Sequence, residues 1–238
     1  MVPCGAGGDG VGIEENLRRV RDRIAAAAAR AGRDPGAVLL VAVTKNVPPD
    51  RINEAIRAGA PAIGENRVQE AESKWPEILA GPERHMVGSL QRNKAGKAVE
   101  LFDRIQSIDS VRLAEAVSRR AEAAGRKIPV LVEVNVSGEE SKAGVDPEGV
   151  RAILDGIAEL PGILPDGLMT IGPLTGDAER IRAAFRSLRR LFDALRSDPV
   201  GGIAMRHLSM GMSGDFEIAV EEGATMVRVG TAIFGERA

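Results

Sequence analysis

VLLVAVTKN, residues 38–46, decides how the rest of the chain is read. Its first seven residues are apolar or a β-branched threonine, and Lys45 comes next. A short apolar run without polar alternation reads as a strand buried on both faces, the habit of parallel sheets. A lone lysine after a strand is usually a surface residue whose stem lies along apolar neighbours. What Lys45 does therefore depends on where the fold puts it.

Working outward, the same unit recurs. Before the strand, Ile13, Leu17, Val20, Ile24 and Ala28 have helical spacing, and Gly32 closes that helix. After it, Asp50 is placed to cap a helix ending near Gly59, and residues 60–65 form a short strand. A polar helix follows over 67–78, then a strand at 85–89, a helix at 92–101 and a strand at 104–109. Ser110 caps the next helix, which ends at Gly125, and residues 129–136 form a strand. Asp146-Pro147 opens a helix in cap-then-proline order, and 167–172 is a strand. Ile181, Phe185, Leu188, Phe192 and Leu195 line a long helix, 207–211 is a strand, Ser213 caps a short helix, and 225–230 is the last strand. Eight β-then-α units after one extra helix imply a parallel sheet closed on itself. The expected fold class is α/β, a single (β/α)8 TIM-type barrel with an extra N-terminal helix. An open doubly wound sheet is the alternative. Residues 1–12, rich in glycine, are expected to form a flexible tail, and 13–238 one domain.

Composition narrows the function. The chain has 238 residues, a formal net charge of −2 and 44% hydrophobic residues. Bulk charge gives no reason to expect nucleic acid, and the apolar fraction is that of a globular domain. No apolar run is long enough for a bilayer, and no basic-then-apolar leader opens the sequence, so no membrane partner and a cytoplasmic location are expected. The one cysteine, Cys4, excludes an internal disulfide and a multi-cysteine metal site. Gly5, Gly7 and Gly10 have dinucleotide-motif spacing, but no strand precedes them. Asn135-Val136-Ser137 is a glycosylation sequon without a secretory context, and is read as coincidence.

Barrel chemistry sits at the C-terminal ends of the strands. There stand Lys45, Glu65, Asn66, Ser89, Gln91, Asn135, Ser137, Met169 and Thr170, followed by SMGMSGD (209–215) and RVGTAIFG (228–235). The last two segments follow strands 7 and 8, where such barrels often bind phosphate. Small residues let backbone N–H groups approach an anion, and Thr231 adds a hydroxyl. Asp215 and Glu217 would repel a phosphate and are expected to face solvent. A lysine in a partly apolar pocket loses preference for its charged form, and the neutral amine can form a Schiff base with an aldehyde. Phosphate corner and pocket lysine together point to pyridoxal 5′-phosphate (PLP) or to a sugar-phosphate substrate of an aldolase.

Longer motifs carry a resemblance. VAVTK (41–45), GENRVQE (64–70), LQRNK (90–94), SGEESKAG (137–144), GLMTIGP (167–173) and the run from His207 to Gly235 resemble the pyridoxal phosphate homeostasis protein family, whose fold is similar to the N-terminal domain of alanine racemase. The resemblance implies PLP held as an aldimine on Lys45. It implies a phosphate held by Ser213 with backbone of the preceding loop, Met212 included, and by Gly230 and Thr231. It also implies Arg228 facing the pyridine nitrogen, Asn66 beside the ring, a monomer, and delivery of PLP to PLP-dependent apoenzymes. Gly214 and Ser89 depart from common family choices without removing any of these residues.

The residues also bear on turnover. PLP catalysis draws electrons through a protonated pyridine nitrogen, usually paired with a carboxylate, and an arginine there leaves the sink weak. Racemisation needs a base on each face. Lys45 supplies one, but the chain has no tyrosine for the other, and His85 and His207 begin their strands, at the far end of the barrel. The expectation is a PLP carrier rather than an enzyme, with a PLP-dependent amino-acid racemase as the alternative.

Overall fold

In the computed structural model, which describes residues 12–139 and 143–235, eight parallel strands close into a barrel. They are β1 (Leu39–Val43), β2 (Ala62–Glu65), β3 (Glu83–Met86), β4 (Arg104–Ile108), β5 (Ile128–Glu133), β6 (Ile163–Met169), β7 (His207–Ser209) and β8 (Met226–Val229). The ring closes where β8 pairs with β1, Leu39 opposite Met226 and Val41 opposite Arg228. The barrel is the expected fold. Cys4 and the tail before Gly12 lie outside the described residues, as do 140–142 of SGEESKAG.

Strand parity sorts the side chains. Leu40 and Ala42 join the main core between sheet and helices. Val41 meets Ala62 and Val87 inside the barrel, flanked by Leu39 and Val43. A second lumenal group holds Leu131, Met169 and Met226. Side chains alternate faces along a strand, so Lys45 continues the lumenal row while Thr44 faces the helices.

The outer ring is α2 (Pro49–Arg57), α3 (Val68–Lys74), α4 (Ala95–Leu101), α5 (Val111–Ala123), α6 (Val150–Ile157), α7 (Ala178–Ser197), α8 (Phe216–Glu221) and α9 (Thr231–Phe234), with α1 (Ile13–Arg30) ahead of β1. α1 buries Ile13, Leu17, Val20 and Ile24, the predicted face, beside α2, α8 and α9.

Several boundaries move for local reasons. Asp50 is not the cap of α2: Pro48 holds that position, Pro49 is the first residue, and Asp50 lies in the first turn, where negative charge is favoured. Ser110 does cap α5, accepting from Leu113 N–H at 3.4 Å. Asp146 makes no side-chain cap bond, and a 3₁₀ turn (Pro147–Gly149) precedes α6. The helix over 67–78 stops at Lys74, and Pro76 sits in a 3₁₀ turn, Trp75–Glu77. β6 starts at Ile163 rather than 167, because a register shift against β5 absorbs Pro165 and Asp166.

Candidate functional site

All seven residues singled out in the sequence, Lys45, Asn66, Met212, Ser213, Arg228, Gly230 and Thr231, line one cavity of about 840 Å³ at the C-terminal mouth of the barrel. Arg51 and Ile171 share its wall. Ser89, Gln91, Asn135 and Ser137 do not line it. Asn135 and Ser137 are spent on their own loop, where Ser137 Oγ donates to Asn135 Oδ1 at 3.0 Å.

Lys45 is half-buried, and its ammonium makes no hydrogen bond or ion pair among the described residues. Its neighbours are held tightly. Thr44 Oγ1 donates to Glu65 Oε1 at 2.7 Å, and Lys74 Nζ donates to Thr44 O at 2.9 Å. Asn46, the one non-glycine residue with a left-handed backbone (φ 59°) among those described, donates its N–H to Glu70 Oε1. Asparagine tolerates that conformation better than most residues.

On the cavity floor Arg228 is buried. It donates to Ser209 Oγ at 2.6 Å and to Thr170 O at 2.7 Å. Burial pulls its guanidinium down to about 10, with Glu133 and Asp215 opposing, so it stays charged at neutral pH. Ser209 passes the chain on to Gln106 Oε1 at 2.6 Å, and Gln106 Nε2 lies 2.7 Å from His85 Nδ1.

Glu133 is the functional candidate that sequence reasoning passed over. It ends β5 two residues beyond lumenal Leu131 and is buried. Burial pushes its carboxyl up to about 7, against the pull of Arg228, and Asp109 pushes it further up. The signal was in PVLVEVNV: a charge inside an apolar strand, the same anomaly that flagged Lys45.

The loops after β7 and β8 meet through Ser213, but not as expected. Ser213 does not cap α8, whose cap position is Asp215. Its Oγ instead accepts from Gly230 N–H at 3.2 Å and Ala232 N–H at 3.3 Å. The hydroxyl therefore occupies a place an anion's oxygen could take, and its own hydrogen has no acceptor among the described residues. Asp215 also departs from expectation: it does not face solvent but turns back to accept from Met212 N–H, and burial raises its carboxyl. The loop requires glycine at 211, where φ is 94° and a Cβ would lie 2.5 Å from Ala219 Cβ. Glu217 does face outward, paired with Arg23 at 2.8 Å.

His207 opens β7 at the opposite end, as its position predicted, but His85 does not begin its strand. β3 starts at Glu83, and His85, third of its four residues, is buried mid-barrel at the end of the hydrogen-bond chain from Arg228 through Ser209 and Gln106. His85 Nε2 is 3.3 Å from Glu83 Oε1, off hydrogen-bonding alignment, and His207 Nε2 is 3.7 Å from Asp166.

Comparison with known proteins fits this geometry. The family model for the alanine racemase N-terminal domain matches residues 13–238. A pyridoxal phosphate homeostasis protein of Aquifex aeolicus is 44% identical over 224 residues, covering 94% of this chain and 97% of its own. The chain belongs to the pyridoxal phosphate homeostasis protein family. PipY of Synechococcus elongatus, a structure with PLP bound, is 40% identical with a TM-score of 0.83, covering 94% of this chain and all of that one (100%). An alanine racemase of Clostridium difficile shares the fold alone, at 16% identity and a TM-score of 0.73, and this chain spans only 56% of it.

Proposed function

We propose that the chain holds PLP in the 840 Å³ cavity, covalently on Lys45, and serves PLP homeostasis as a carrier. The observation that carries this reading is the amine of Lys45, free of partners among the described residues, in the same cavity as the Ser213–Gly230–Thr231 corner. PLP supplies an aldehyde that a primary amine can capture and a phosphate that can anchor the other end. The residues fit that group. Lys45 is the nucleophile, and Ser213 offers a hydroxyl donor beside the N–H groups that open α9. Gly214 leaves open space, since a Cβ there would meet nothing within 4 Å. Asn66 lines the wall and Arg228 the floor. Arg228 stays charged and cannot accept a proton, which opposes a strong electron sink. PLP bound in PipY supports the cofactor assignment.

The same residues support a carrier without sustained turnover. The chain has no tyrosine, His207 sits at the far end of the barrel, and His85 is buried mid-barrel, outside the cavity lining. We take it to act as a cytoplasmic monomer that passes PLP to apoenzymes; light scattering and cell fractionation check the first two points.

The test is spectroscopic. Incubation with PLP gives visible absorbance, borohydride fixes a pyridoxyl group that maps to Lys45, and Lys45→Ala loses both. A protein that stays colourless sinks the reading. Pyridoxal binds more weakly than PLP if the corner holds the phosphate. Chiral analysis of alanine with the loaded protein addresses the racemase alternative, and sustained inversion would overturn the carrier assignment.

A further inference from the structure

Two lysines near the cavity, one lining it and one behind its wall, have opposite circumstances. Lys45 reaches the lumen unpaired among the described residues, whereas Lys74 lies one layer out, between sheet and α3, with only 13% of its side chain exposed. Lys74 Nζ donates to Thr44 O at 2.9 Å, to Glu65 Oε1 at 3.0 Å and to Glu70 Oε1. Glu70 is one turn before it on α3 and also receives Asn46 N–H. Glu65 is fully buried; its Oε1 takes Thr44 Oγ1, and its Oε2 lies 3.3 Å from Asn66 N. Both peptide neighbours of Lys45 are thus gripped by side chains, and the same carboxylate touches the backbone of Asn66, another cavity residue.

Buried charges are expensive unless fully paired, so a three-membered ionic group here is a costly way merely to join α3 to the sheet. What the group does hold is the left-handed turn at Asn46, which aims the preceding residue into the cavity. Burial drives the Glu65 carboxyl up, while Thr44 and Lys74 pull it back. Burial also opposes ionisation of Glu70, but Lys74 and the Asn46 N–H more than offset it and leave that carboxyl low.

We propose that Glu65, Glu70 and Lys74 form a positioning clamp that fixes the backbone of residues 44–46 so that the Lys45 amine is aimed for capture of an aldehyde. None of the three lines the cavity. Their contribution is orientation, and displacements near 1 Å at a reacting group can cost on the order of a hundredfold in rate. The proposal rests on the reading of Lys45 as the PLP tether.

The test separates capture from simple binding. Glu70→Gln keeps the shape of the side chain, and Lys74→Met removes the central charge. Each is compared with the unaltered chain for the rate of visible absorbance with PLP, and for affinity toward pyridoxine 5′-phosphate, which has the ring and phosphate but no aldehyde. The clamp predicts capture slowed by about ten- to a hundredfold, with pyridoxine 5′-phosphate affinity and the far-ultraviolet circular dichroism unchanged. Equal weakening toward both ligands would show a merely structural role and overturn the proposal. So would unchanged capture in Glu70→Gln, which decides the matter if Lys74→Met does not fold. If the unaltered chain gives no adduct on Lys45, the tether reading fails first, and that result is distinct from either clamp outcome.

Discussion

The two ends of the barrel hold cavities of nearly equal size, about 840 Å³ at the mouth and about 850 Å³ at the foot, yet they treat charge in opposite ways. At the foot the buried charges are matched. Arg104 bonds Asp166 at 2.7 Å and lies 3.6 Å from Glu83, and His207 stands beside Asp166. The contacts of His85 and Arg104 hold the Glu83 carboxyl down to about 2 despite its partial burial. At the mouth Lys74 is paired in the outer layer, but inside it Lys45 has no partner among the described residues, Arg228 bonds only neutral oxygens, and Glu133 is driven up to about 7. A fold has no stability reason to leave charge unmatched, so the mismatch supports the ligand site proposed at that end. Pairing at the foot reads as architecture, in line with the usual division of labour in these barrels.

Three substitutions press on that contrast, the largest effect first. Arg104→Met strands Asp166 and Glu83 at the foot, and should cost about 3 kcal/mol in urea unfolding, while PLP capture per folded molecule stays unchanged. Loss of capture without loss of stability would erase the distinction between the ends. Glu133→Gln tests the mouth through pH. The folded carboxyl holds its proton to about 7, above its ordinary value of 4.5, so its stabilising contribution is complete below 4.5 and drains away as pH rises through 7. The unaltered chain should therefore lose about 1–3 kcal/mol between roughly pH 5 and 8 from this group, and the Gln variant should show a flatter profile in thermal melts. An identical slope in both would mean that Glu133 does not titrate there. Lys45→Ala should be the mildest for stability, within about 0.5 kcal/mol, because the amine it removes has no partner among the described residues. A substantial loss would mean that Lys45 helps hold the barrel after all.

Much of this was legible in the sequence because it depends on short-range pattern. Apolar runs without alternation gave the strands, helical spacing gave α1 and α7, and their strict order gave the barrel. Lys45 stood out as a charge ending such a run. The misreadings come from contacts that residue pattern does not show, some across the chain and some within a folded-back loop or an irregular strand. Ser213 looks like a helix cap because it precedes α8, yet its oxygen serves N–H groups 17 and 19 residues later. Asp215 looks solvated until its loop folds back on Met212. Lys74 looks like one more polar residue on α3, since only the sheet brings Thr44 and Glu65 to it. β6 hid its start because proline and aspartate disguise a strand that a register shift accommodates.

Ser213 also bears on how readily a ligand could leave. Because its Oγ already accepts from Gly230 and Ala232, those two N–H groups are not orphaned when no anion is present. A departing phosphate would exchange one acceptor for another rather than strip bare donors, whose desolvation would otherwise resist release. If the proposed corner holds the phosphate, it suits turnover of occupants rather than permanent retention, and a reservoir needs that reversibility as much as it needs affinity.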